Sequence, residues 1–347
     1  MRALSAQGSE LRFSREELLR SHPFAAPHVV AGERLHGGFD DAGRYLSPRL
    51  LVRAPAIAAW TEALRARGGG LLPADAKLLA GVRATSEAQQ KLLLLEGLGQ
   101  TFWDMMTIIG EIEGRGRLLT EIKFPDLGHA VYEDVSTWAV GHLNHGLLEA
   151  HGLDEGGEPQ RGIGGHDRMW FALRDLAFGP VGFPAPTVPP RIGRPDEAAT
   201  LVPEIAMRFE RTIGFLMNLL LTEIRAHLTF SFTERLLRDA ELFRERRDEA
   251  LLAAELVNRI RSDEAIHVES LRLYLGELRA ATFRTRDGGR VAGAAVIDRL
   301  WDGIVRWWTV EQPPLAAAQQ REVLHERIHQ HPDGARIWQR FEALAES

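Results

Sequence analysis

The chain contains no cysteine. That absence removes disulfides, thiolate zinc sites, iron–sulfur clusters and cysteine nucleophiles together. Any transition metal must be held by His, Asp and Glu. No apolar run reaches the roughly 18 residues of a membrane span, and Met1 to His22 lack an apolar core of signal-peptide length. A cytoplasmic protein without a membrane partner is expected. There is no excess of positive charge either: the net charge is -6, which argues against nucleic acid as a partner. No glycine-rich strand–turn–helix for a dinucleotide appears. Strand signals are almost absent. What remains is 45% hydrophobic and 26% charged, the balance of a globular protein with a sizeable core.

Apolar periodicity predicts an all-α chain. Residues 1–75 read as an irregular N-terminal extension packed on the main body, with a helix at Ala54 to Arg67 that ends at Gly68-Gly69-Gly70. Residues 76–283 read as a helical bundle. Ser86 to Ile112 carries a stripe through Leu92, Leu95, Phe102, Met106 and Ile109. A second helix is expected from Pro125 toward His151. Gly152 to Pro195 is dense in glycine and proline and reads as a long crossover broken by a short helix at His166 to Phe178, with the makings of a lid. Long helices follow at Asp196 to Phe243 and Asp248 to Phe283. Residues 284–347 read as a C-terminal helical cap or oligomer surface, rich in Trp301, Trp307, Trp308 and Trp338, and a homodimer is expected. Two long helices, a crossover and two more long helices make a four-helix bundle of ferritin-like topology.

The strongest chemical signal is Glu264 and His267, three residues apart on one helix face. Val257, Ile260, Val268 and Leu271 make that face apolar, and an unpaired charge buried there would be very costly. A divalent metal is the natural partner. Glu223 is likewise framed by Leu216, Leu219, Leu220 and Phe230, with His227 one turn on. In an antiparallel hairpin, facing residues are equidistant from the turn, and the midpoint of Glu223 and His267 falls at residue 245, inside a charged turn. By the same rule Glu96 and Glu133, with His129 one turn before Glu133, centre on Gly114-Arg115-Gly116. The metal ligands expected are therefore Glu96, His129, Glu133, Glu223, His227, Glu264 and His267, with Glu223 and Glu264 as the catalytic pair. A rival first half is Asp104 with His142, His145 and Glu149. His166 and Asp167 read more simply as a helix start. Asp263 and His227 are candidates for hydrogen bonding to the ligands, and Phe102, Trp103 and Met106 for lining a substrate pocket.

In chain order this is Glu, a His/Glu pair, Glu, then Glu-x-x-His, over roughly residues 86 to 283. The pattern resembles the ferritin-like di-iron carboxylate superfamily, which includes ribonucleotide reductase small subunits, bacterial multicomponent monooxygenase hydroxylases and aryl-amine N-oxygenases. The second half matches through Glu223, Glu264 and His267. The first half departs: Glu133 is followed three residues on by Ser136, not His. The resemblance implies two iron ions, or manganese, and an oxidoreductase (a dioxygen-using oxidase or monooxygenase) acting on a small-molecule substrate. Electrons would come from a separate reductase, a thiol or the substrate. The alternatives are a ferroxidase or metal-storage protein, a metal-dependent hydrolase, and a non-catalytic helical binder whose acids pair with Arg208, Arg211 or Arg225.

Overall fold

The computed structural model describes residues 12–24, 26–79, 85–195 and 199–345. The remaining N-terminal residues, and Asp196 as a helix start, lie outside the described residues. The chain is mostly helical, and no described helix is long and apolar enough to cross a membrane. Its helices are α1 (Arg15–Leu18), α2 (Leu50–Ala66), α3 (Glu87–Leu95), α4 (Gln100–Gly116), α5 (Leu148–Gly156), α6 (His166–Phe178), α7 (Met207–Arg238), α8 (Arg247–Ala280), α9 (Gly293–Arg306), α10 (Gln312–His329) and α11 (Gly334–Ala343). Three two-stranded antiparallel hairpins join β1 (His28–Val30) to β2 (Glu33–Leu35), β3 (Gly38–Phe39) to β4 (Tyr45–Leu46), and β5 (Thr282–Arg284) to β6 (Arg290–Ala292).

The α7–α8 hairpin is the spine. Its helices have 32 and 34 residues, so each runs about 50 Å at the standard rise. Leu216, Leu220 and Ile224 of α7 share one apolar core with Leu271, Leu275 and Leu278 of α8. Farther along, Phe230 and Leu237 of α7 share a second core with Val257 and Ile260 of α8 and Met169 and Leu173 of α6. α6 packs on α4 and α8, α5 packs on α4, and α2 packs on α8. Apolar contact along two faces of the spine thus fixes four other helices around its middle.

Between α4 and α5 the chain departs from the helix expected from Pro125. It makes short 3-10 turns at Leu127–His129 and Ala139–His142 and a wide π turn at Leu143–Leu147. Asn144 exchanges two hydrogen bonds with the Phe124 backbone, at 3.0 and 2.9 Å, and so replaces the pairing a helix would provide. Gly146 sits at φ +111°, and a Cβ there would lie 3.1 Å from Leu18 Cβ on α1. The stripe from Ser86 is also not one helix: it breaks at Gly97, φ +78°, into α3 and α4.

The C-terminal tryptophans are not all surface. Trp301 and Trp308 are buried in the core that α7 and α8 share. α10 and α11 pack Leu324, Ile328, Ile337 and Phe341 on Leu92 and Leu93 of α3.

Candidate metal centre

Five helices deliver seven ionisable side chains to one buried volume. Glu113 comes from α4, His151 and Glu155 from α5, His166 from the first position of α6, Glu223 from α7, and Glu264 and His267 from α8. None is more than 8% exposed. Glu113 lies seven residues after Met106 and eleven after Phe102, on the buried stripe of α4. His151 and Glu155 are one turn apart on α5, which is buried nearly all round. That depth requires close helix approach, and glycine supplies it: a Cβ on Gly116 would stand 2.5 Å from Glu155 Cγ, and one on Gly152 would stand 3.0 Å from the Gly116 carbonyl. His166 is set by the strand edge before it. The His36 amide donates to the Gly164 carbonyl at 3.0 Å, and the Gly164 amide donates to the Arg34 carbonyl at 2.8 Å.

The seven side chains form two sets of converging ligand atoms that share a member. One set is His151, Glu155, Glu223 and His267, and the other is Glu113, Glu155, His166 and Glu264. In the first, His151 Nε2 is 2.9 Å from Glu223 Oε1 and 3.4 Å from Glu155 Oε1, and His267 Nδ1 is 3.2 Å from Glu155 Oε1. In the second, His166 Nδ1 is 3.6 Å from Glu113 Oε2, 3.6 Å from Glu155 Oε2 and 3.0 Å from Glu264 Oε1. Glu155 therefore turns one oxygen to each set. Glu264 does the same, since its Oε2 is 2.9 Å from His267 Nδ1. Two carboxylates, each offering one oxygen to either side, are the donor arrangement of a bridged metal pair.

The histidines are oriented from behind. His166 Nε2 lies 3.1 Å from Asp263 Oδ2, and His267 Nε2 lies 3.1 Å from Asp154 Oδ2. In each ring one nitrogen faces a carboxylate and the other faces the centre, the usual setting of a metal-binding histidine. Asp154 is held by Arg49 and Arg53 of the α2 region, both buried. Asp263 is held by His36 Nε2 at 3.3 Å and the Tyr45 hydroxyl at 3.0 Å. Glu155 Oε1, His166 Nδ1 and Glu264 Oε1 are fully buried and lie 3.0–3.4 Å from ionisable neighbours without a well-aligned hydrogen bond. Buried lone pairs without aligned donors are costly, and cations bound in the two sets would satisfy them. The donor set fits a divalent metal.

Burial and mutual charge push the carboxyl groups of the cluster in opposite directions. Burial, then the Glu155 charge, pushes Glu113 well above the usual carboxylate range, and burial, then Glu264, does the same to Glu223. Burial also opposes ionisation of Glu155, but the hydrogen bond from Glu113 and the neighbouring His166 outweigh it and hold Glu155 well below its ordinary value. Against the burial penalty, the Glu155 charge and a bond to Asp263 raise His166, and Glu264 and Asp154 raise His267. His151 is lowered by burial and by the His267 ring stacked on it at 3.8 Å.

Glu223, Glu264 and His267 come together as the helical spacing predicts. The other expected ligands lie elsewhere. Glu96 caps the end of α3 and pairs with Arg336 at 2.7 Å and with Arg340. His129 is exposed on a 3-10 turn, and Glu133 accepts the Thr282 amide at 2.9 Å. The midpoint rule placed them because it assumed two straight antiparallel helices, and after Gly116 the chain makes short 3-10 and π turns rather than an α-helix until Leu148. His227 is half-buried one turn from Glu223 and joins neither set. The rival set also disperses: His142 packs on Trp60, His145 is exposed, Glu149 pairs with Arg15 and Asp104 pairs with Arg327. Asp263 does hydrogen-bond to a member of the cluster. Phe102 and Met106 belong to the plain core with Trp170. The partners missed by sequence reasoning, Glu113, His151 and Glu155, and His166, which it set aside as a helix start, left two signals. One is the α4 stripe. The other is glycine that permits close packing where it reads as a loop.

Comparisons with protein-family models, curated proteins and solved structures return no match. The buried His/Glu/Asp clusters stand on their own geometry as sites that could hold metal.

Proposed function

We propose that this protein holds a dinuclear metal centre. The carrying observation is the pair of four-ligand sets joined through Glu155 and Glu264. Glu113 and His166 would be terminal ligands of one ion, and His151, Glu223 and His267 of the other. More particularly, we read the protein as a non-haem di-iron oxidase or oxygenase, with iron or manganese as the resident metal, since carboxylate and imidazole donors suit both. On this reading α4, α5, α7 and α8 are a ferritin-like bundle, and α6 is an added helix that brings His166.

When bound, such a metal pair supplies two-electron chemistry with dioxygen. The chain supplies ligand geometry through the Asp154 and Asp263 contacts, and it excludes water by burying every ligand. That dryness supports dioxygen over hydrolysis, because a small apolar gas crosses a packed core more easily than a hydrolytic substrate with its water. Glu223 and Glu264 face histidines rather than Arg208, Arg211 or Arg225, which weakens the reading as a metal-free binder. The proline-rich segment 179–195 crosses α4 and reaches α7: Phe183 meets Trp103 edge-on, Arg115 donates to the Pro189 carbonyl at 2.6 Å, and the Arg194 amide donates to Asn218 Oδ1 at 2.9 Å.

The test is anaerobic loading with ferrous iron, followed by oxygen consumption at an electrode. Rapid uptake that Glu155→Gln abolishes supports the reading. A loaded wild-type protein that consumes no oxygen with any reductant overturns it in favour of hydrolysis.

A further inference from the structure

Away from the metal centre, α7 and α9 enclose a cleft of about 330 Å³, the size of a small-molecule site. Gly214 of α7 lines it, nine residues before Glu223. That is about two and a half helical turns, so the cleft opens on the face of α7 opposite the metal ligands. Leu300 and Ile304 of α9, with Leu201, make its apolar wall. Glycine inside a helix is destabilising relative to alanine, and close packing does not demand it at this position. A Cβ on Gly214 would meet Ile304 Cδ1 at 3.8 Å, an ordinary contact. The missing side chain leaves room instead.

One polar group in the cleft lacks a donor. Glu210 is only 8% exposed. Its Oε1 accepts the Leu201 amide at 2.6 Å, but its Oε2 is fully buried and has no hydrogen-bond partner. A buried carboxylate oxygen left unpaired is costly, and an ammonium would satisfy it with a charge-assisted bond. The next residue, Arg211, is exposed and also lines the cleft, and Arg194 adds a second guanidinium. Guanidinium is the side-chain group best suited to a carboxylate. Asn218, farther along α7, is already engaged. Its Oδ1 accepts the Arg194 amide at 2.9 Å and the Trp308 indole N–H at 3.1 Å, and its Nδ2 donates to the Gly214 carbonyl at 3.0 Å. The cleft thus offers a carboxylate and a guanidinium on neighbouring residues, with an aliphatic wall one turn on at Gly214.

We propose that this cleft binds a small aliphatic α-amino acid. Its ammonium pairs with Glu210, its carboxylate pairs with Arg211, and its side chain lies over Gly214 against Leu300 and Ile304. An amine without a carboxylate would be repelled by the guanidiniums, and a carboxylate without an amine would face Glu210. Neither half is therefore bound as well as the whole. The site uses none of the metal ligands and needs no metal.

The test is isothermal calorimetry of the full chain with L-leucine as the probe, and circular dichroism to check that variants fold. Leucine should bind saturably. Isocaproate, which lacks the ammonium, and isoamylamine, which lacks the carboxylate, should each bind at least about tenfold more weakly, the scale of one lost charge-assisted bond. Glu210→Gln keeps an acceptor for the Leu201 amide and should weaken leucine about tenfold. Gly214→Leu places a side chain in the cleft and should abolish binding. If Glu210→Gln does not fold, Gly214→Leu and the two analogues decide. Wild-type protein that takes up no leucine, analogues that bind as tightly as leucine, or folded variants that bind it as the wild type does overturn the proposal. Each of those results leaves the metal centre standing.

Discussion

Glu155 belongs to both ligand sets, with Oε1 turned to one and Oε2 to the other. Glu155→Gln keeps its volume and removes its charge, so metal content should fall from about two ions per chain to one or none while helicity is kept. Unchanged stoichiometry by elemental analysis would count against the bridge. His129→Ala, by contrast, changes an exposed turn residue and should leave metal content alone. Proton linkage gives a second check. In the metal-free protein Glu113, Glu223, His166 and His267 are all raised above their ordinary values. Groups raised on folding contribute stability that is complete below their unfolded values, about 4.3 for Glu and 6.5 for His, and that is lost as pH rises through the folded values. Metal-free protein should therefore weaken as pH climbs past neutrality. Cation binding must displace those protons, so calorimetric binding enthalpies should differ between buffers of unlike ionisation enthalpy. Equal enthalpies would contradict that displacement.

The close seating of α5 on α4 depends on Gly116, where a Cβ would collide with the Glu155 side chain. Gly116→Ala should cost about 1–3 kcal/mol by overpacking and lower metal affinity through the displaced Glu155, measured by chemical denaturation and metal competition. Wild-type affinity in the variant would show that the helices have slack. A second contact, between α8 and the turn at Ala139–His142, rests on Glu277, which is fully buried, accepts the Val140 amide at 3.0 Å and faces Arg67 at 3.4 Å. Burial pushes its carboxyl up to about 7. Because that value is raised, the contribution is complete below about 4.3 and is lost as pH rises through 7, a change on the order of 3 kcal/mol. Glu277→Gln keeps the acceptor and should flatten the stability profile between pH 5 and 8, whereas an unchanged slope would remove Glu277 as its source. At this scale, legibility followed periodicity. The long helices of the spine and the pairing of Glu223 with Glu264 and His267 are written in 3.6-residue apolar spacing. The α5 contribution is not, because His151 and Glu155 sit beside Gly152 and Gly156, and glycine signals a loop and a close helix crossing equally well. His166 was masked for another reason: its position depends on Gly164 pairing with a hairpin more than a hundred residues earlier, a contact no local pattern encodes.

Across the molecule, seven polar groups are packed into an apolar interior between two hydrophobic cores. An arrangement so costly when empty should be strongly stabilised when filled. At a free metal concentration about 100 times the dissociation constant, mass action adds about 2.7 kcal/mol. Chelation should lower the thermal midpoint and return of the metal should restore it, and a midpoint indifferent to both would mean that the protein folds around protons alone. The most direct measurement of the central claim is the metal content of the full chain, reconstituted with iron or manganese and freed of loose ions. The account predicts about two tightly held ions per chain, as a carboxylate-bridged pair requires. A protein that emerges with no bound metal, although Glu155, Glu264 and their histidines are intact and folded, would contradict it.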